Sequence, residues 1–115
     1  MKTISILGCT GSIGTQALTI ARKNPTLFNV IGLSAGNNLD LLKVQIQEFK
    51  PKYACIKSKE NYIKLSSWVK QHNIKINISY GTQGVNNIAK LTQDLIIIAI
   101  VGTAGIEPTY NAICN

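Results

Sequence analysis

Three glycines spaced three apart, Gly8, Gly11 and Gly14, stand between an apolar run and the first segment of helical length, and this restricts what the chain can become. A G-x-x-G-x-x-G turn that leaves a first strand and opens a helix is a relative of the dinucleotide-binding fingerprint. Ile4–Leu7 supplies the strand, and Ser12–Lys23 the helix, with Ile13, Ala17, Ile20 and Ala21 on one face and Asn24-Pro25 as the stop. Each glycine has its own physical reason. Gly8 permits the tight turn, Gly11 lets the backbone approach a pyrophosphate without a Cβ in the way, and Gly14 lets the helix pack close to the strand. The N–H groups from Thr10 to Ile13 then face an anion with the positive end of the helix dipole behind them, and the Thr10 and Ser12 hydroxyls add donors. A glycine-rich turn alone demands only tightness; its place in a strand-turn-helix unit points to phosphate.

The rest of the chain repeats the same rhythm of short apolar runs and helical segments. Val30–Leu33, Tyr53–Ile56 and Ile74–Ile78 read as further strands, the last alternating in polarity as an edge strand does. Helices are expected over Leu39–Phe49, where Pro51 ends the pattern, over about Glu60–Gln71, burying Tyr62, Ile63, Leu65, Trp68 and Val69, and over Val85–Leu91. Leu95–Val101 is apolar on both faces and reads as a central, covered strand. Strands alternating with helices require right-handed crossovers, so the fold class is α/β, a doubly wound, mostly parallel, Rossmann-like sheet. Pro108 reads as the first position of another helix, only seven residues before Asn115. Residues 1–115 are therefore expected to be one incomplete, truncated nucleotide-binding domain.

Composition narrows the partners. Twelve Lys+Arg against five Asp+Glu give a net charge of +7, which favours an anionic partner. Eleven of the cations are lysines spread from Lys2 to Lys90, without an Arg-rich run or interleaved aromatics, so a phosphorylated small molecule is expected and no nucleic acid. Cys9, Cys55 and Cys114 are odd in number and widely spaced, which suits reduced thiols in a cytoplasmic protein. The apolar stretch Thr3–Leu7 is short for an export signal, and Leu95–Val101 is short for a bilayer span, so no membrane association is expected.

The end of the second strand bears on the choice of dinucleotide. An NAD site places Asp or Glu ~20 residues beyond the glycines to hold the ribose 2′-hydroxyl. That place falls near Ser34, and Leu33-Ser34-Ala35-Gly36-Asn37-Asn38 carries no carboxylate. A 2′-phosphate meets small hydrogen-bonding groups there, which favours NADP; the plainer alternative is a β–α turn in which Asn38 caps the next helix. His72 reads as a surface residue at a helix end, Cys9 as a small filler rather than a nucleophile, and Trp68 as a core residue. The five acids Asp40, Glu48, Glu60, Asp94 and Glu107 lie far apart, so no metal site is expected within the chain.

Four blocks, Ile6–Gly14, Ala35–Asn38, Phe49–Ala54 and Ala99–Thr109, closely resemble the N-terminal domain of the 1-deoxy-D-xylulose 5-phosphate reductoisomerases. The resemblance spans the whole chain, and the last block is its most specific part. It implies a cytoplasmic enzyme of non-mevalonate isoprenoid biosynthesis that isomerises 1-deoxy-D-xylulose 5-phosphate and reduces the product with NADPH to 2-C-methyl-D-erythritol 4-phosphate. A divalent Mg, Mn or Co ion is implied only for the full-length protein, and a homodimer is compatible with it. Carried over by position, Thr10, Gly11, Ser12 and Ile13 would cradle the NADPH phosphates, and Gly36, Asn37 and Asn38 would surround the adenosine ribose and 2′-phosphate. Position 37 is commonly basic in relatives and is Asn37 here; Cys9 replaces a usual serine. The metal carboxylates and the phosphorylated sugar site would lie beyond Asn115, so no catalytic residue falls in this chain. Left open are another NADP-dependent enzyme, such as a semialdehyde dehydrogenase, and a non-catalytic nucleotide-binding module.

Overall fold

The computed structural model describes residues 1–99. The chain alternates strand and helix: β1 (Lys2–Leu7), α1 (Ser12–Lys23), β2 (Phe28–Ala35), α2 (Leu39–Phe49), β3 (Tyr53–Ile56), α3 (Lys59–Gln71), β4 (Asn77–Tyr80), α4 (Gly81–Ala89) and β5 (Leu95–Ile98). The strands form one sheet in the order β4-β3-β2-β1-β5, and every neighbouring pair is parallel. This is the Rossmann-like α/β architecture that the alternation of apolar runs requires.

Period-two alternation along the strands sends side chains to two separate cores. On one face Ile4, Ile6, Leu33, Ala54 and Ile56 meet Leu18 and Ala21 of α1, Leu42 and Ile46 of α2, and Leu65 and Val69 of α3. On the other, Leu7 and Cys55 meet Ile88 and Ala89 of α4. Among the described residues, helices thus cover both faces, three on one and one on the other. The α4 face is kept thin by small residues. A Cβ on Gly84 would lie 2.7 Å from both Cys55 Sγ and Ser79 Oγ, and one on Gly32 would lie 2.9 Å from Ile88 Cγ2.

Several boundaries differ from the sequence expectation, each for a local reason. β4 begins at Asn77 rather than Ile74, because Asn73 turns with φ 54° and the Ile74 N–H bonds back to Val69 O at the end of α3. Ile74 and Ile76 still pack on the core, so their alternation reflected burial from a loop. Helix α4 starts at Gly81, four residues before Val85, and includes Gly84 because its close approach to β3 excludes a side chain. On α1 the buried line is Gly14, Leu18 and Ala21, while Ile13 and Ile20 are exposed; Ile63 of α3 and Val44 of α2 are exposed as well.

Strand β5 is not central among the described residues. It pairs with β1 on one side, stands at the end of the sheet, and leaves Leu95 exposed with Ile96–Ile98 half-buried. Its apolar character on both faces follows from the helices above and below, since Ile97 joins the first core and Ile96 and Ile98 join the second. Ile100–Val101, the Gly102–Gly105 segment, the helix expected from Pro108, and Cys114 lie outside the described residues.

Candidate functional site

The site is set by sheet topology. From β1 the chain steps one way through β2, β3 and β4, and then returns to place β5 on the opposite side of β1. The carboxyl end of β1 is therefore a topological switch point, where ligands of open α/β sheets bind. Gly8–Gly14 leaves β1 at that end.

The turn is strapped down on its inner side. The N–H groups of Gly8 and Cys9 both donate to Ser34 O at 2.8 Å, tying the turn to the end of β2. Gly8 has φ 87°, a left-handed conformation that needs glycine. The Gly11 N–H donates to Gly8 O at 3.2 Å, and the Thr15 N–H to Gly11 O at 2.9 Å. Among the described residues, no acceptor meets the N–H groups of Thr10, Ser12 or Ile13, and no side chain caps α1. Among the described residues three amides at one helix start thus have no acceptor, while the Gly11 amide, expected among the free donors, is engaged in the turn.

Gly11 has no need of its own to be glycine. Its backbone is extended (φ −81°, ψ 179°), and a Cβ there would meet only Gly8 O at 3.5 Å, an ordinary contact. Gly36 is similar, with nothing within 4 Å of a built Cβ. Among the described residues, neither glycine is demanded by a positive φ or by packing.

The second group of candidates lies one strand away. Leu7 pairs with Ser34, so Gly36–Asn38 leaves β2 beside the glycine turn. The Gly36 carbonyl accepts from Lys57 N–H at 3.2 Å, which fixes this loop against the end of β3. Gly36, Asn37 and Asn38 are all exposed. Asn38 Oδ1 accepts from Leu41 N–H at 3.1 Å and caps α2, so its oxygen is committed, while its amide nitrogen has no partner among the described residues. The β–α turn cap and the ligand position coincide in one residue.

The remaining candidates have local roles. Cys9 is fully buried, and burial pushes its thiol up to about 12, which keeps it protonated and unreactive. His72 ends α3, exposed, with Nδ1 2.9 Å from Trp68 O; Trp68 is half-buried against the first core. Two grooves of about 440 and 480 Å³ open elsewhere, one at the amino ends of β3 and β4 beside Lys50 and His72, the other along β4 and the first turn of α4, beside Tyr62 and Tyr80. Neither is lined by the glycine turn. Among the described residues no three His, Cys, Asp or Glu stand together as metal ligands, and no helix is long and apolar enough to cross a membrane.

Two contributors escape sequence reasoning. Lys57 acts through its main chain, for which no residue type is a signal. Gln45 lies on the buried face of α2, only 4% exposed, and its Nε2 donates to Cys9 O at 2.8 Å. A polar residue between Leu42 and Ile46 on an inward face was the available sign.

Fold and turn together define the class: a Rossmann-like α/β domain with a glycine-rich loop at its switch point. The family model for 1-deoxy-D-xylulose 5-phosphate reductoisomerase matches residues 4–115. The chain belongs to that family. It is 42% identical over 98% of its length to the reductoisomerase of Clostridium perfringens (strain SM101 / Type A), covering 30% of that protein. It is also 42% identical to that of Thermodesulfovibrio yellowstonii, again over 98% of the chain and 29% of the relative. Among solved structures, a DOX-P reductoisomerase in complex with NADPH, fosmidomycin and magnesium superposes with a TM-score of 0.93 at 34% identity, covering 97% of this chain and 28% of the other. The Zymomonas mobilis reductoisomerase in complex with NADPH gives 0.90 at 28% identity, covering 97% and 29%. The chain thus spans about 30% of the length of the curated relatives it matches. Family membership decides against a semialdehyde dehydrogenase.

Proposed function

We propose that this chain is the NADPH-binding portion of an oxidoreductase that isomerises and reduces 1-deoxy-D-xylulose 5-phosphate to 2-C-methyl-D-erythritol 4-phosphate. The observation that carries this is the set of free amides at Thr10, Ser12 and Ile13 beside Gly11, a glycine that neither turn nor packing requires. Amides without acceptors at a helix start suit a diphosphate, because each can donate to a charged oxygen and the helix dipole adds to the attraction. Gly11 lets the phosphates come within hydrogen-bond distance of the main chain. Gly36, Asn37 and the Asn38 amide take the adenosine ribose and its 2′-phosphate, at a strand end without a carboxylate to repel it.

NADPH bound here supplies the hydride for the reduction. This chain's own residues hold and orient the coenzyme; the isomerisation, the sugar phosphate and the divalent metal are the business of the rest of the protein. The described residues do not fit a metal site, and no step at a metal is assigned to them. In equilibrium titrations NADPH binds more tightly than NADH. Equal affinity for the two would contradict the assignment of the β2 loop, and absence of binding to either would contradict the site.

A further inference from the structure

Resting on the assignment of the diphosphate to the glycine turn, we infer that Gln45 is a positioning residue of that site, acting through the Cys9–Thr10 peptide. Gln45 projects from α2 into the core and donates from Nε2 to Cys9 O at 2.8 Å; a carbonyl only accepts, so the facing atom is the amide nitrogen. Cys9 is held on its other side too, its N–H donating to Ser34 O at 2.8 Å. The peptide plane after Cys9 therefore cannot rotate without breaking a buried hydrogen bond. That peptide is trans, so its carbonyl and the N–H of Thr10 point in opposite directions. Drawing the Cys9 carbonyl in toward α2 turns the Thr10 N–H away from it, and Thr10 is one of the three amides left without an acceptor.

The buried carboxamide is otherwise poorly used. Gln45 Oε1 has no hydrogen-bond partner among the described residues, a cost that an apolar side chain of similar size would avoid. A polar group kept in the core at that cost, with its one bond on the turn, fits a residue retained for geometry at the site.

The test is Gln45→Leu in the full-length protein, with Gln45→Met, closer in shape and equally unable to donate, if the first does not fold. NADPH affinity is measured well below the melting temperature, and the Thr10 amide resonance is recorded without ligand. The expected result is NADPH binding weakened about tenfold, the factor for one misaimed hydrogen bond to a charged group, with a displaced Thr10 resonance. A residue that only fills the core would lower the melting temperature and leave both readouts unchanged, which would overturn the inference. Should the wild-type protein not bind NADPH, the nucleotide site itself fails. The Thr10 resonance still decides whether Gln45 orients that amide.

Discussion

A Cβ built on Gly14 would lie 2.1 Å from the carbonyl oxygen of Gly8 and 2.7 Å from Cys9 Cα, so the first turn of α1 rests directly on the backbone that leaves β1. Nothing flexible can give way there. Gly14→Ala is expected to cost ~1–3 kcal/mol or more, as overpacking against a fixed backbone does, read as a lowered midpoint in chemical denaturation. Gly11→Ala separates packing from binding. It should change stability by less than ~0.5 kcal/mol while weakening NADPH at least tenfold, about 1.4 kcal/mol. Equal losses of stability from both variants would show that Gly11, too, serves only the fold.

The buried thiols give the protein an alkaline liability. Burial pushes Cys9 up to about 12 and Cys55 up to about 11. In the unfolded chain a thiol ionises near ~8.5, so above that pH the unfolded state loses protons the folded state retains. The contribution is therefore complete below the unfolded value and lost as pH rises toward the folded ones, by at most ~1.4 kcal/mol per pH unit per thiol. Denaturation midpoints at pH 8 and pH 10 should fall less steeply in Cys9→Ala than in wild type. Parallel slopes would contradict the protonated, buried thiol.

Asp94 fastens β5 to the start of β1: its Oδ2 accepts from the Thr3 N–H at 2.8 Å and from the Thr3 hydroxyl at 3.2 Å. The main-chain donor first, and the hydroxyl second, hold the carboxyl below its usual range. A depressed value stabilises the fold above the unfolded carboxyl value of ~3.9 and loses that contribution as pH falls through the folded one. Asp94→Ala should thus lower the denaturation midpoint at pH 7, and the gap from wild type should narrow at pH 3. A gap that does not change with pH would assign the effect to the backbone alone.

Asn37 stands exposed in the loop after β2, where the proposed site would take the 2′-phosphate. Asn37→Lys is expected to tighten NADPH by ~0.2–1 kcal/mol, the range of an exposed pair of charges, and to leave NADH unchanged. Isothermal titrations with both coenzymes at low and high salt check this. An equal gain for NADH would place residue 37 away from the 2′-phosphate.

The alternating fold was legible because β strands buried on both faces and helices with one apolar face leave different periods. The glycine turn was legible because Gly8 and Gly14 answer to backbone geometry, the first through its φ of 87° and the second through its contact with Gly8. Less was readable where tertiary contact overrode local pattern. Ile13 and Ile20 look like core residues of α1, yet the contact between Gly14 and Gly8 rotates the helix so that Leu18 faces the sheet. Leu95–Val101 reads as central, yet among the described residues its strand Leu95–Ile98 pairs only with β1; apolar faces report the helices above and below a strand and not its neighbours in the sheet. Gln45 was hidden because its partner is a main-chain carbonyl 36 residues away in sequence.

The most direct test of the nucleotide site is an NADPH titration followed through the backbone amide resonances of the glycine turn. Thr10, Ser12 and Ile13 should shift together and gain protection from hydrogen exchange, while the Gly8 and Cys9 amides, already bonded to Ser34, move little. Saturation by NADPH with those three amides unshifted and still exchanging would contradict a diphosphate held at the start of α1.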